Sequence, residues 1–270
     1  MADIHPKAVV ENAEALGDDV RVGPFSYVGP EVTVGPGTRI GSGVTVLGRT
    51  AVGARCRLLT GCVIGCRPAG AAGEEHGETG RCVIGDGNVI REHVTVELGH
   101  TDGGTRIGDD NLIMVGCHVG ADAELDGEGI FANFTRIDEG AKIEPYVRTS
   151  GFTNVEAHTT VGAYTFTTGY AGIDRDAPPY AIVQGLPYRV RSVNVENLNR
   201  CGFTVEEVAA IKEAFRVLFN GRGGFPAAET IEQVRDATAC RHVRLLADAL
   251  AATIASPGGC RRLGGLGEST

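Results

Sequence analysis

The chain has 270 residues, a formal net charge of −9 and eight cysteines. That length buries a sizeable core, and the acidic balance argues against a nucleic-acid or membrane-surface binder, which needs a basic patch. Glycine is the outlier at 40 residues, about twice the usual share, so many tight turns are expected.

From Ile4 every sixth residue is aliphatic: Ile4, Val10, Leu16, Val22, Val28, Val34, Ile40, Val46, Val52, Leu58 and Ile64. Glycine often follows directly, as at Gly17, Gly23 and Gly35. Four residues after each aliphatic comes a small or β-branched residue, as at Ser26, Thr38, Cys56 and Cys62, with Glu14 an exception. A 3.6-residue helix would scatter these aliphatics over its whole surface. Coils of three short strands, six residues each, put every aliphatic inside a prism, with the small residue beside it. Cysteines at the small position are core filler.

The register resumes at Ile84, Ile90 and Val96. It then runs unbroken from Ile107 through Ile113, Val119, Leu125, Phe131, Ile137, Ile143, Thr149, Val155, Val161 and Thr167 to Ile173. This places a parallel β-helix over 1–173, with excursions near 66–83 and 97–106. Loops that leave a regular solenoid are usually functional. The glycine-rich stretches are turns. No calcium-binding nonapeptide and no G-x-x-x-x-G-K-[ST] phosphate loop occurs. Cys66 and Cys82 flank the first excursion, with His76 between them, but lack the tight pairing of a metal site. No metal and no cofactor is expected.

Residues 174–193 contain "DRDAPPYAIVQGLPYR" and read as a linker. A helical region over 194–256 follows. Thr204 with Glu207 forms a capping box, and Val205, Val208, Ile211, Phe215 and Leu218 share a face. "GRGGF" at 221–225 ends that helix, Thr230 with Gln233 opens the next, and Val243, Leu246, Leu250 and Ile254 line a further one. The remainder, 257–270, reads as a flexible tail. The apolar stretch near Leu245 to Ala255 is too short for a bilayer and holds Asp248, so no integral membrane segment is expected. No basic and then apolar leader opens the chain, which gives the cytoplasm as the expected compartment.

The hexads, "RVGPFSYVGP", "IREHVTV", "DAPPYAIVQG" and "VNVENLNRCGF" together resemble the acyl-carrier-protein-dependent UDP-N-acetylglucosamine O-acyltransferases of lipid A synthesis. The resemblance implies a left-handed parallel β-helix followed by helices. It also implies a homotrimer with sites between subunits, and acyl carrier protein and a UDP-sugar as partners. It implies that the family's general base falls at Ala121, with Asp122 as the residue that orients that base. His118 matches an earlier site histidine. Gly140 and Glu156 stand where the family has two further histidines, and Glu97 where it has another. Asn194, Glu196 and Arg200 match positions beside the UDP group. Arg200 suits a phosphate, because its planar donors grip an oxyanion. Met114 matches a substrate-pocket position, and Gly169 the position that sets acyl-chain length.

With Ala121 at the base position, no catalytic residue of the inherited set is intact. His118 and His158 are the substitute bases to weigh, and both are rarer in that role than as solvated or interface histidines. His118 lies about 10 Å along an extended strand from position 121, whereas a base must come within about 3 Å of its proton. Three readings stay open: an O-acyltransferase with altered acid–base groups, a non-catalytic trimer that binds a UDP-sugar or acyl carrier protein, and an acyltransferase for another nucleotide sugar.

Overall fold

A computed structural model describes residues 1–68, 80–219 and 225–256. Most of the first excursion, the "GRGG" of 221–224 and the 257–270 tail lie outside the described residues.

Three parallel sheets, of 11, 9 and 7 strands, form the walls of a prism. We call them the first, second and third in the order a coil visits them. In one coil Ile113 lies in the first, Val119 in the second and Leu125 in the third, all 2% exposed or less. The partner of each is the equivalent residue one coil away: Ile90 and Phe131 for Ile113, Val96 and Ile137 for Val119. Full burial of such a side chain contributes roughly 1.5–3 kcal/mol. Ile4 and Val10 alone among the hexad aliphatics are only half-buried, because no coil covers the first one.

Thr149 and Thr167 occupy aliphatic slots. Each is buried and pairs its hydroxyl with a neighbouring threonine, Thr135 at 2.7 Å and Thr153 at 2.8 Å. The hydroxyl fits because a partner satisfies it. The glycines that open turns are sterically required where coils touch: a Cβ at Gly53 would lie 2.4 Å from the Gly85 carbonyl oxygen.

The corners turn through left-handed backbone, and each builds a column one coil apart. Phe134, Phe152 and Tyr170 line the corner from first to second sheet, with φ near +60° and rings stacked at 5.1 and 5.0 Å. Asp122, Gly140 and His158 line the corner from second to third sheet, and Glu128, Tyr146 and Tyr164 the corner from third back to first.

Residues 174–193 are not an open linker. Ala181–Gln184 adds to the first sheet, parallel to Phe166–Thr167, and Arg189–Val193 returns antiparallel to it. Tyr188, 1% exposed, donates its hydroxyl to the Asp176 carbonyl and locks this hairpin against the last coil. Proline density marks the turns, and "AIV" carries the strand.

Four helices follow: α1 (Val195–Arg200), α2 (Val205–Leu218), α3 (Ala228–Ala237) and α4 (Arg241–Ala255). The Thr204–Glu207 capping box forms as expected, but Val205, in the first turn, is 81% exposed while Val208, Ile211, Phe215 and Leu218 are buried. Helix α3 starts earlier than expected, at Ala228 behind Pro226, so Thr230 and Gln233 sit inside it and cap nothing. In α4, Ile254 faces out and Thr253 faces in, bonding the Asp176 carboxylate at 3.0 Å.

Candidate functional site

His118 projects outward from the second sheet. Its strand partner in the preceding coil is Thr95, whose hydroxyl lies 2.8 Å from Nδ1. On the other side of the ring, Glu97 Oε1 lies 3.9 Å from Nε2. The second Glu97 oxygen accepts the Ala121 N–H at 3.1 Å. One carboxylate, on a residue only 8% exposed, thus bridges His118 to the backbone of Ala121. Ala121 is itself 1% exposed.

Asp122 has no histidine to orient. It holds the second excursion instead. Its carboxylate accepts the N–H of His100 at 3.0 Å, the N–H of Thr101 at 3.1 Å and the Thr101 hydroxyl at 2.8 Å. Three bonds onto one carboxylate fix the 98–104 turn beside the His118 cluster.

Gly140 and His158 are coupled by packing. A Cβ at Gly140 would lie 2.4 Å from His158 Nδ1, so the imidazole fills the space that a side chain at 140 needs. His158 sits two coils from Asp122 on the same corner, about 10 Å away. Glu156 is exposed, on the approach to that corner.

Met114 and Gly169 both flank the corner from first to second sheet, beside the ladder of Phe134, Phe152 and Tyr170, whose rings are 50, 50 and 74% exposed. A Cβ at Gly169 would meet nothing closer than 3.7 Å.

Asn194, Glu196 and Arg200 belong to α1. Asn194 caps the helix by accepting the Asn197 N–H, and donates to the Tyr164 carbonyl at 2.8 Å. Asn197 donates to the Tyr146 carbonyl at 3.0 Å. Helix α1 is therefore pinned to the corner between third and first sheets. Glu196 and Arg200 form an exposed ion pair at 2.9 Å. In a triangular prism this corner lies opposite the second sheet. One chain therefore keeps the His118 cluster and the α1 group on opposite sides.

The thiols of Cys56, Cys62, Cys82 and Cys117 are core groups. Burial pushes Cys82 up to about 12 and Cys62 and Cys117 to about 11, so they stay protonated and make poor metal ligands. No cluster of metal-ligating side chains occurs among the described residues. His76 lies outside them.

The sequence did not single out Thr95. Its signal was present: Val96 and Val119 hold the same inward slot in consecutive coils, which pairs Thr95 with His118 once the excursion is counted out.

A family profile described as "Udp N-acetylglucosamine O-acyltransferase; Domain 2" matches residues 176–258, and one described as "Bacterial transferase hexapeptide (six repeats)" matches 16–48. The acyl-[acyl-carrier-protein]–UDP-N-acetylglucosamine O-acyltransferase of Stenotrophomonas maltophilia is 42% identical over 236 residues, 86% of this chain and 88% of the relative. That of Stutzerimonas stutzeri is 36% identical over 255 residues, 94% of this chain and 98% of the relative. The solved UDP-N-acetylglucosamine acyltransferase from Campylobacter jejuni superposes with a TM-score of 0.85 at 27% identity, covering 96% of this chain and 98% of that one. With its left-handed parallel β-helix and C-terminal helices, the chain belongs to the acyl-[acyl-carrier-protein]–UDP-N-acetylglucosamine O-acyltransferase family of lipid A biosynthesis.

Proposed function

We propose that the protein transfers an acyl chain from acyl carrier protein to a hydroxyl of a UDP-sugar, UDP-N-acetylglucosamine first among them, without the family's inherited base. The observation that carries this reading is identity of 42% over most of the chain with a relative named for that reaction. Arg200, with Glu196 and Asn194, takes the UDP group in this reading. Arg200 trades its exposed partner Glu196 for a diphosphate oxygen, a stronger bidentate match. Met114 and Gly169 line the path of the acyl chain, and the missing side chain at Gly169 leaves room for a long one.

The working unit is a homotrimer. What supports it is the placement of the His118 cluster and α1 on opposite sides of one prism. A complete site needs the first from one copy and the second from another, which closed rotational symmetry supplies to every copy equally. The reaction needs no resident cofactor or metal, and its co-substrates place it in the cytoplasm. Among the described residues no helix is long and apolar enough to cross a membrane.

A second reading has its own support. Ala121 is buried and its N–H is taken by Glu97, which suits a trimer that binds UDP-sugar or acyl carrier protein without turnover. Assay of the purified chain with acyl carrier protein thioesters and several UDP-sugars separates the readings. Acylation of UDP-N-acetylglucosamine supports the first, acylation of a different sugar alone redirects the substrate, and saturable binding without product supports the second.

A further inference from the structure

We propose that His118 is the proton acceptor of this protein, with Thr95 and Glu97 as its positioning residues. This rests on the acyltransferase reading above. The three groups come from adjacent strands of the second sheet, so regular pairing holds them rather than a loop.

The roles follow from the geometry. The Thr95 hydroxyl lies 2.8 Å from Nδ1 and holds the ring. With Nδ1–H taken as the donor in this pair, the lone pair is left on Nε2. The Nε2 edge faces Glu97 Oε1 across 3.9 Å, too far for a hydrogen bond and close enough to stabilise a positive imidazolium. Glu97 cannot swing away freely, because its other oxygen holds the Ala121 N–H. A further charged neighbour is Arg136, His118's partner in the following coil, whose guanidinium is paired with Asp138 at 2.5 Å. The His118 side chain keeps 30% of its surface exposed, so a ligand reaches it.

In the reaction, Nε2 takes the proton of the sugar hydroxyl as its oxygen attacks the thioester carbonyl carbon. The tetrahedral intermediate collapses with cleavage of the C–S bond. The imidazolium returns its proton to the departing sulfur, and neutral His118 is regenerated. This is the division of labour of a base with an orienting partner and a charge-stabilising one, built three residues before Ala121.

The test uses the purified full chain with acyl carrier protein thioester and UDP-N-acetylglucosamine. His118→Gln is expected to lower kcat by about 10²- to 10⁴-fold with little change in KM, and to remove the acidic limb of the rate–pH profile. His118→Ala is expected to regain activity on adding free imidazole, whereas Glu97→Gln and Thr95→Val lose rate and are not rescued. Long-range proton–nitrogen spectra of the wild type are expected to show the Nδ1–H tautomer at His118. A silent wild type overturns the acyltransferase reading and this assignment with it. An active wild type overturns this assignment alone if His118→Gln keeps its rate and pH profile, if imidazole fails to rescue His118→Ala, or if the proton is found on Nε2.

Discussion

The face that carries His118 and the corner that carries Arg200 differ in how their polar groups are satisfied. On the second sheet, Thr95, His118, Glu97 and the Ala121 N–H are bonded or held close to one another, and the carboxylate is nearly buried. At α1, Arg200 and Glu196 satisfy each other in the open, with side-chain exposures of 53 and 85%. Exposed pairs of this kind contribute little to stability. The first group is preorganised, as chemistry demands. The second is held cheaply and is free to rearrange on a ligand. The contrast teaches that small residues on this side do not leave an open gap: the carboxylate of Glu97 beside position 121 and the ring of His158 beside position 140 occupy the surroundings.

Perturbing the open pair should cost binding and spare the fold. Arg200→Ala is expected to weaken UDP-N-acetylglucosamine by roughly tenfold or more, the range for a lost charge-assisted contact. Titration calorimetry checks this, with an unchanged melting temperature. Equal affinity in the variant would remove the nucleotide role from α1.

Perturbing the filled side should do the reverse. Ala121→His must fit an imidazole where the alanine is 1% exposed and its N–H is tied to Glu97. We expect it to destabilise by about 1–3 kcal/mol in a denaturant titration, with no gain in rate. The double change Ala121→His with Glu97→Gln removes the carboxylate that ties the 121 N–H, and is expected to recover part of the stability, though not the rate, relative to the single change. A faster single variant would show that the surroundings were never refilled.

A difference in acyl preference is smaller but more selective. A Cβ added in Gly169→Met makes only ordinary contacts, at 3.7 Å or more, beside the aromatic corner, so the fold should hold. The preferred acyl chain should shorten in competition assays with thioesters of different lengths. An unchanged preference would separate this corner from the acyl path.

The smallest expected effect concerns pH, and lies where the helices meet the prism. Burial holds the His242 imidazole below its ordinary value, with Glu207 opposing and Arg241 adding to the shift. The ring touches the Tyr180 hydroxyl at 3.2 Å, Glu207 Oε1 at 3.3 Å and Arg241 Nε at 3.2 Å. A depressed histidine means that the unfolded chain takes up the proton first. Its contribution is therefore present above about pH 6.5 and is lost as pH falls. Glu207, held down chiefly by the Thr204 N–H, loses its contribution further into acid. The melting temperature should fall modestly from pH 7 to 5, and His242→Gln should flatten that slope. A slope that persists unchanged would assign the loss to other groups.

The prism was legible in the sequence because each residue there has one environment. An aliphatic at the sixth position can only point inward, so Ile84 and Ile107 announced the resumption of coils across both breaks. Thr149 and Thr167 fall in that slot by register alone, and both are buried. The hairpin at 181–193 was hidden because prolines and glycines dominated its composition, while Tyr188, the residue that locks it, carries no periodic signal. At the helix ends, propensity gave the faces but not the last turns: Val205 and Ile254 fit the helical period and still face solvent. Within the site, resemblance named positions but not their new partners. That Asp122 anchors 98–104, and that His158 fills the space over Gly140, depend on stacking between coils. A one-dimensional register does not show which side chain leans on which.

The most direct test of the account is subunit complementation. His118→Ala and Arg200→Ala chains are denatured together, refolded as mixed trimers and assayed with acyl carrier protein thioester and UDP-N-acetylglucosamine held well below saturation, where each variant alone is strongly impaired. If each site draws His118 from one copy and Arg200 from another, a 1:1 mixture regains roughly a quarter of the wild-type sites, by random assortment in a closed ring. Activity that stays at the level of the two variants alone, in trimers shown to be mixed, would contradict a site shared between copies.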